Sequence, residues 1–142
     1  MTAPDDLPDA IHRLRLRVYY EDTDLAGIVY YANYLRFIER GRSEWVRARG
    51  IDQTALRRDA DIVFAVRRVE ADYLIPARFD DEIEVTTRLV ELGGARIVVD
   101  QQVLRAGAVL FAARVTLACL TSTGRPARLP AALRARLAPP AP

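Results

Sequence analysis

In YANYLRFIERGRSEWVRARG, residues Tyr31 to Gly50, the residues Tyr34, Phe37, Ile38, Gly41 and Trp45 recur at spacings of three and four. Arg36, Glu39, Arg40, Arg42, Glu44 and Arg47 fill the other side. This spacing predicts an amphipathic helix of about five turns that buries one stripe and wets the other. Gly50 suits its C-terminal stop.

The chain around this helix has a period of two. From His12 to Tyr20, Leu14, Leu16, Val18 and Tyr20 alternate with Arg13, Arg15 and Arg17, the pattern of a half-buried strand. Residues 51–61 read as a short helix or loop. Phe64 to Leu74 is a strand ended by Pro76, with Val69, Ala71 and Tyr73 on one face. Glu82 to Leu92 alternates Ile83, Val85, Thr87 and Leu89 against Glu82, Glu84 and Arg88. Gly93-Gly94 turns the chain into a return strand, Arg96 to Leu104, and Ala106-Gly107 introduces the apolar strand Val109 to Thr121. One long helix and five strands joined largely by tight turns imply an α+β domain with an antiparallel sheet. A helix about 10–12 Å wide cannot cover five strands spaced ~4.8 Å apart, so a second copy is expected to cover the rest.

Length and composition narrow the class. A chain of 142 residues, half of them hydrophobic, holds one domain with a true core. Its expected extent is 11–130, with 1–10 and 131–142 as mobile termini apart from one short helical turn. The opening MTAPDDLPDA lacks the basic and apolar regions of a signal peptide, and no stretch approaches the ~20 apolar residues of a membrane span. A single cysteine, Cys119, forms no internal disulfide, and a cytoplasmic location is expected. The net charge of +2 does not point to nucleic acid. All 21 basic residues are arginine. A GC-rich coding sequence explains that first, and the bidentate grip of arginine on phosphates and carboxylates second.

Between the first strand and the helix lies YYEDTDLAGIVYYANY, residues Tyr19 to Tyr34, with Glu21, Asp22 and Asp24 in four positions. Aspartates serve turns and helix N-caps, and that reading comes first. A metal site would need further ligands, and the one histidine, His12, lies a strand away; no metal is expected. His12 reads as a surface residue and Cys119 as a small core residue.

The third reading is catalytic. The pattern R-V-x4-T-D-x2-G-I-V-x2-A-N-Y, from Arg17 to Tyr34, resembles the active-site signature of the 4-hydroxybenzoyl-CoA thioesterase family of hotdog-fold enzymes, whose aspartate falls on Asp24. FIERGRSEWVRARG, RRVEADYLIPARFDDEIEV, ELGGARIVVDQ and GRPARLP resemble the branch associated with the bacterial Tol-Pal gene cluster, over roughly residues 13–130. The resemblance implies a hotdog fold, in which a five-stranded antiparallel sheet wraps one long central helix. It also implies protomers paired edge to edge as a homodimer, or a dimer of dimers, with active sites at the interface.

The implied activity is acyl-CoA thioester hydrolysis without a cofactor, coenzyme A being part of the substrate. Asp24 would act as nucleophile or as general base on water. A backbone N–H near Tyr31, at the head of the helix, would hold the oxyanion. Gly27 would let the chain turn closely there. In the Tol-Pal branch the position of Tyr31 is usually histidine, so imidazole chemistry is absent here and the Tyr31 phenol would orient substrate or water. Arg96, Arg125 and Arg128 are the implied contacts for the phosphates of coenzyme A. Glu21 and Asp22 are left as turn and surface groups. The rival functions are a hotdog hydratase, which would want a histidine–carboxylate pair, and a non-catalytic dimer binding acyl-CoA or acyl carrier protein as a scaffold or regulator.

Overall fold

A computed structural model describes residues 11–138. The elements run β1 (His12–Arg17), α1 (Asn33–Ala48), α2 (Gln53–Ala60), β2 (Val63–Tyr73), β3 (Glu82–Leu92), β4 (Arg96–Arg105), β5 (Ala108–Leu120) and α3 (Ala131–Leu137). All five strands form one antiparallel sheet in the order β1-β3-β4-β5-β2. The architecture is α+β as expected, one long helix on a five-stranded antiparallel sheet, with α1 laid over β1, β3 and β4. β1 is shorter than its alternation suggests, because Tyr20–Asp22 forms a 3-10 turn in which the Asp22 carboxylate accepts the Tyr19 N–H at 2.8 Å. The short helix expected within 51–61 is α2, capped by Asp52, whose carboxylate accepts from the Thr54 and Ala55 N–H groups.

The buried stripe of α1 is Tyr34, Phe37, Ile38, Gly41, Trp45 and Val46. It meets the inward residues Ile83 and Val85 of β3, Ile97, Val99 and Val103 of β4, and Phe111 and Val115 of β5. The closest approach is at Gly41, where an added Cβ would stand 2.5 Å from Val85 Cγ1. A polar network crosses the core beside it. Gln101, only 1% exposed, donates to the Ile38 carbonyl at 2.8 Å and to Thr87 Oγ1 at 2.9 Å, and accepts from Arg42 at 3.0 Å. Every polar end of the Gln101 amide that reaches the core is thereby used, as burial demands. Burial without an acidic partner in contact holds the Arg42 guanidinium below its ordinary value.

The inner face of β2 is left open. A bulge between Val66 and Arg68 shifts the register, so Phe64 and Val66 before it and Val69, Ala71 and Tyr73 after it all face inward. Yet Val66 and Tyr73 are about half exposed, although the Tyr73 ring meets Tyr34 of α1 edge-on. On the outer face, Asp100 of β4 accepts two hydrogen bonds from Arg114, at 2.8 and 3.0 Å, and one from Arg88. The Arg114 hydrogen bonds, aided by both positive charges, hold the Asp100 carboxyl below its usual range. Its stabilising effect is therefore present above the ordinary carboxylate pKa and is lost as pH falls through the lower, folded-state value. Asp100→Asn should make stability less steep between about pH 5 and pH 3 in urea titrations; an unchanged acid slope would dismiss the pairing as a contributor.

Two expectations are corrected. The domain does not end at 130: Leu137 of α3 is fully buried, and Arg134 donates to the carbonyls of Leu92 and Gly93, tying α3 to the β3–β4 turn. The remaining terminal residues, 1–10 and 139–142, lie outside the described residues. His12 is no surface residue but opens β1 opposite Thr87 and is half-buried. Cys119 is buried on β5, and burial pushes its thiol up. No helix among the described residues is long and apolar enough to cross a membrane.

Candidate active site

The acidic segment folds as a miniature hairpin. Asp24 N–H donates to the Ile28 carbonyl at 2.9 Å, Gly27 N–H donates to the Asp24 carbonyl at 3.0 Å, and Thr23 pairs with Val29. This is a type I turn followed by a left-handed residue, and Gly27, at φ +78°, occupies that position. An added Cβ on Gly27 would meet nothing within 4 Å, so glycine is required there by backbone conformation and not by close approach. Asp22 and Asp24 then separate in role. The carboxylate of Asp22 is used within the 3-10 turn, and its carbonyl accepts from Asn33 Nδ2 and from Tyr30 N–H, both at 2.9 Å. Asp24 uses one oxygen, Oδ1, to accept the Ala26 N–H at 2.9 Å. Among the described residues its second oxygen has no donor, and the residue is exposed.

Register places a residue here that the sequence did not single out. Tyr30 lies opposite Asp22 in the hairpin, so its side chain shares a face with Asp24, while Thr23 and Val29 take the other. The rings of Tyr30 and Tyr31 lie 4.9 Å apart. The neighbouring Tyr31 phenol, with a smaller effect from Asp24, holds the Tyr30 phenol above its ordinary value and keeps it protonated.

Tyr31 leads into α1, whose N-terminus has no side-chain cap. The Tyr30 carbonyl accepts from Asn33 N–H at 2.8 Å. Since the peptide that follows is trans, the Tyr31 N–H points the opposite way, out of the helix. Among the described residues it finds no acceptor. Beside it opens a cleft of about 330 Å³, lined by Ile28, Tyr31, Tyr34, Tyr73, Leu74 and Pro76. Its mainly apolar wall with a few polar groups is the usual form of a small-molecule site. Larger hollows of about 630, 520 and 480 Å³ lie elsewhere; Asp24 lines none of them and does not line the cleft, which its hairpin borders through Ile28 and Val29.

The structure thus brings Asp24, Gly27 and Tyr31 together, and separates them from the three arginines. Arg96 begins β4, pairs with Glu91 and lies across from Ala118, while Arg125 and Arg128 follow the far end of β5. The Asp24 hairpin lies at the opposite end, tied by Val29 N–H to the Ala77 carbonyl ahead of β3. A ten-residue strand at ~3.4 Å per residue separates the two ends by about 30 Å. Within one chain, Arg96, Arg125 and Arg128 therefore do not reach the cleft. No group of three or more His, Cys, Asp or Glu among the described residues could hold a metal ion.

The fold and the site define a hotdog thioesterase architecture, and the chain belongs to the thioesterase-like superfamily, whose family model matches residues 18–137. Among its relatives is acyl-CoA thioesterase YbgC of Haemophilus influenzae, 40% identical over 105 residues, which span 74% of this chain and 77% of that one. A probable thioesterase from Bartonella henselae superposes with a TM-score of 0.82 at 40% identity, covering 85% of this chain and all of that one. The structure of 4-hydroxybenzoyl-CoA thioesterase in complex with 4-hydroxybenzoyl-CoA, at 20% identity, shares the fold with a TM-score of 0.85, covering 89% of this chain and 98% of that one.

Proposed function

We propose that the protein hydrolyses acyl-CoA thioesters to a free acid and coenzyme A, with Asp24 as the working carboxylate. One observation carries the assignment of the site: a carboxylate with one uncommitted oxygen stands in the same hairpin that delivers an outward-pointing amide at Tyr31 and borders an apolar cleft. The acyl group enters the cleft. The free Asp24 oxygen either takes a proton from a water that adds to the carbonyl, or attacks the carbonyl itself to form a mixed anhydride that water then hydrolyses to the free acid. In either case the oxyanion that develops faces the Tyr31 N–H. When the C–S bond breaks, the electron pair leaves on sulfur. A thiol with a pKa of about 8.5 is a good enough leaving group that no separate acid is needed. The phenols of Tyr30 and Tyr31 orient water or substrate by hydrogen bonding. The reaction uses no cofactor. It belongs in the cytoplasm, where the buried thiol of Cys119 stays reduced.

The assembly is proposed on the same footing. β2 has a free edge of 11 residues and an open inner face, and two copies joined antiparallel along that edge would cover both. A two-fold axis would set the Val63 end of one β2 beside the Tyr73 end of the other. Arg125 and Arg128 of one copy would thereby approach Asp24 of the other, and Arg96 would follow at longer range. The phosphates of coenzyme A would then be held in trans.

The test follows free thiol release from a panel of short, long and aromatic acyl-CoAs, with sedimentation of the same sample. Hydrolysis by a species of two copies, or of four, is expected. A monomer that hydrolyses at full rate would reject the trans arrangement. Tight binding of acyl-CoA or acyl carrier protein without hydrolysis would favour a scaffold instead.

A further inference from the structure

The wall of the cleft supplies a hydrogen bond as well as a shape. Tyr73 ends β2 on the side of the Asp24 hairpin, and its hydroxyl donates to the Tyr31 carbonyl at 2.9 Å, across 42 positions of sequence. Tyr31 is thereby held on both sides. The Asn33 N–H fixes the peptide before it through the Tyr30 carbonyl, and the Tyr73 hydroxyl fixes the peptide after it. In a planar trans peptide the N–H lies opposite the C=O, so these two bonds set the directions of the Tyr31 and Ala32 amides. Both residues precede the first residue of α1, Asn33, and so the helix alone does not hold them.

The phenol that makes this contact is itself braced. Its ring stands edge-on to Tyr34 at 5.4 Å and to Phe111 at 5.0 Å, and those two rings stack on each other at 5.0 Å with an interplanar angle of 16°. Phe111 is fully buried. Tyr34 is anchored by accepting the Ala77 N–H at 2.9 Å. Tyr73 thus transmits the rigidity of the core to an exposed turn. Tyr73 is about half exposed and Tyr31 more so, which leaves the hydrogen bond little part in holding the fold.

We infer that Tyr73 is a positioning residue for the oxyanion site: its hydroxyl, by fixing the Tyr31 carbonyl, sets the Ala32 amide directly and locks Tyr31 between two held peptides, so that the Tyr31 N–H keeps its aim toward the thioester carbonyl. The inference rests on the thioesterase reading above. Donors aimed at an oxyanion act in the transition state more than in the bound ground state, so their misalignment appears in kcat.

Tyr73→Phe keeps the ring and removes only the donor. With an acyl-CoA that wild type hydrolyses, kcat should fall by about 10- to 100-fold while KM and Tm stay within error. In parallel, NMR order parameters of the Tyr31 and Ala32 amides should drop from the rigid range near 0.85 toward about 0.6. A kcat within threefold of wild type would overturn the positioning role, as would a raised KM with kcat unchanged. Unaltered order parameters would reject the clamp whatever wild type hydrolyses. If wild type cleaves no thioester, the oxyanion role falls together with the thioesterase reading, while the order parameters still decide whether Tyr73 holds the turn.

Discussion

Asp24→Asn will lower kcat for thioester hydrolysis by about 10³-fold, within the range typical for loss of a positioned proton acceptor, and will leave thermal stability nearly unchanged. The structure separates the two effects. Oδ1 of Asp24 accepts the Ala26 N–H and so helps to hold the turn, whereas the other oxygen is uncommitted. Asparagine can present its amide oxygen to Ala26 and keep the turn. What it places at the second position is an NH₂ group, which neither accepts a proton from water nor attacks a carbonyl. The residue is exposed, so no buried charge is lost with it. Thiol release from purified variant and wild type, with melting curves of both, is the measurement. Activity within tenfold of wild type would remove Asp24 from the chemistry. A large fall in Tm would mean that the carboxylate charge serves the turn.

Gly41→Ala should destabilise the protein by about 1–2 kcal/mol, against the gain of up to ~1 kcal/mol that alanine normally brings to a helix interior. The sign is set by space. The new Cβ would lie 2.5 Å from Val85 Cγ1 and 3.3 Å from the Gln101 amide nitrogen. Val85 is fully buried and β-branched, so it has little freedom to turn aside. Either the helix lifts and stretches the Gln101 bond to the Ile38 carbonyl, or β3 shifts. Gly41→Leu asks for more room again and should cost about 3 kcal/mol or more. For a domain of this size the alanine variant corresponds to a Tm lower by roughly 3–8 °C. Adding Val85→Ala makes room for the Cβ, so the double variant should be less destabilised than the sum of the singles by about 1 kcal/mol. Strict additivity in chemical denaturation would show that the contact is not the cause.

Most elements were legible because each carries its own period. β3 begins and ends where its alternation does, and the stripe Tyr34, Phe37, Ile38, Gly41, Trp45 is the face that α1 buries. The bulge of β2 was hidden in plain view. Inward residues switch from even numbers, Phe64 and Val66, to odd ones, Val69, Ala71 and Tyr73, and the pair Arg67-Arg68 marks the switch. The positions of Tyr30 and Tyr73 beside the candidate site were not legible, because both follow from long-range register. Tyr30 joins Asp24 only once the hairpin is paired across Thr23 and Val29, and Tyr73 meets Tyr31 only when β2 lies beside β5. The arginines show the converse. Motifs place Arg96, Arg125 and Arg128 in a family context, but strand direction puts them at the far end of the sheet from Asp24 within a chain. Asp22 and Asp24 look alike in sequence, and only hydrogen bonding separates a committed carboxylate from one with an oxygen to spare.

The bulge in β2 has a consequence for fidelity of assembly. A plain strand edge repeats its donors and acceptors every two residues, so any extended chain that drifts past can dock on it at many offsets. β2 does not repeat along its length, because the ladder slips by one residue between Val66 and Arg68. A stray strand in step with Val63–Val66 falls out of step over Arg68–Tyr73 and secures only half of its bonds. A second copy of this chain carries the same irregularity and, turned about a two-fold axis, can match slip with slip. In the pairing proposed along β2, the interruption works like the notch of a key: it spoils the edge for stray strands while leaving it open to a second copy.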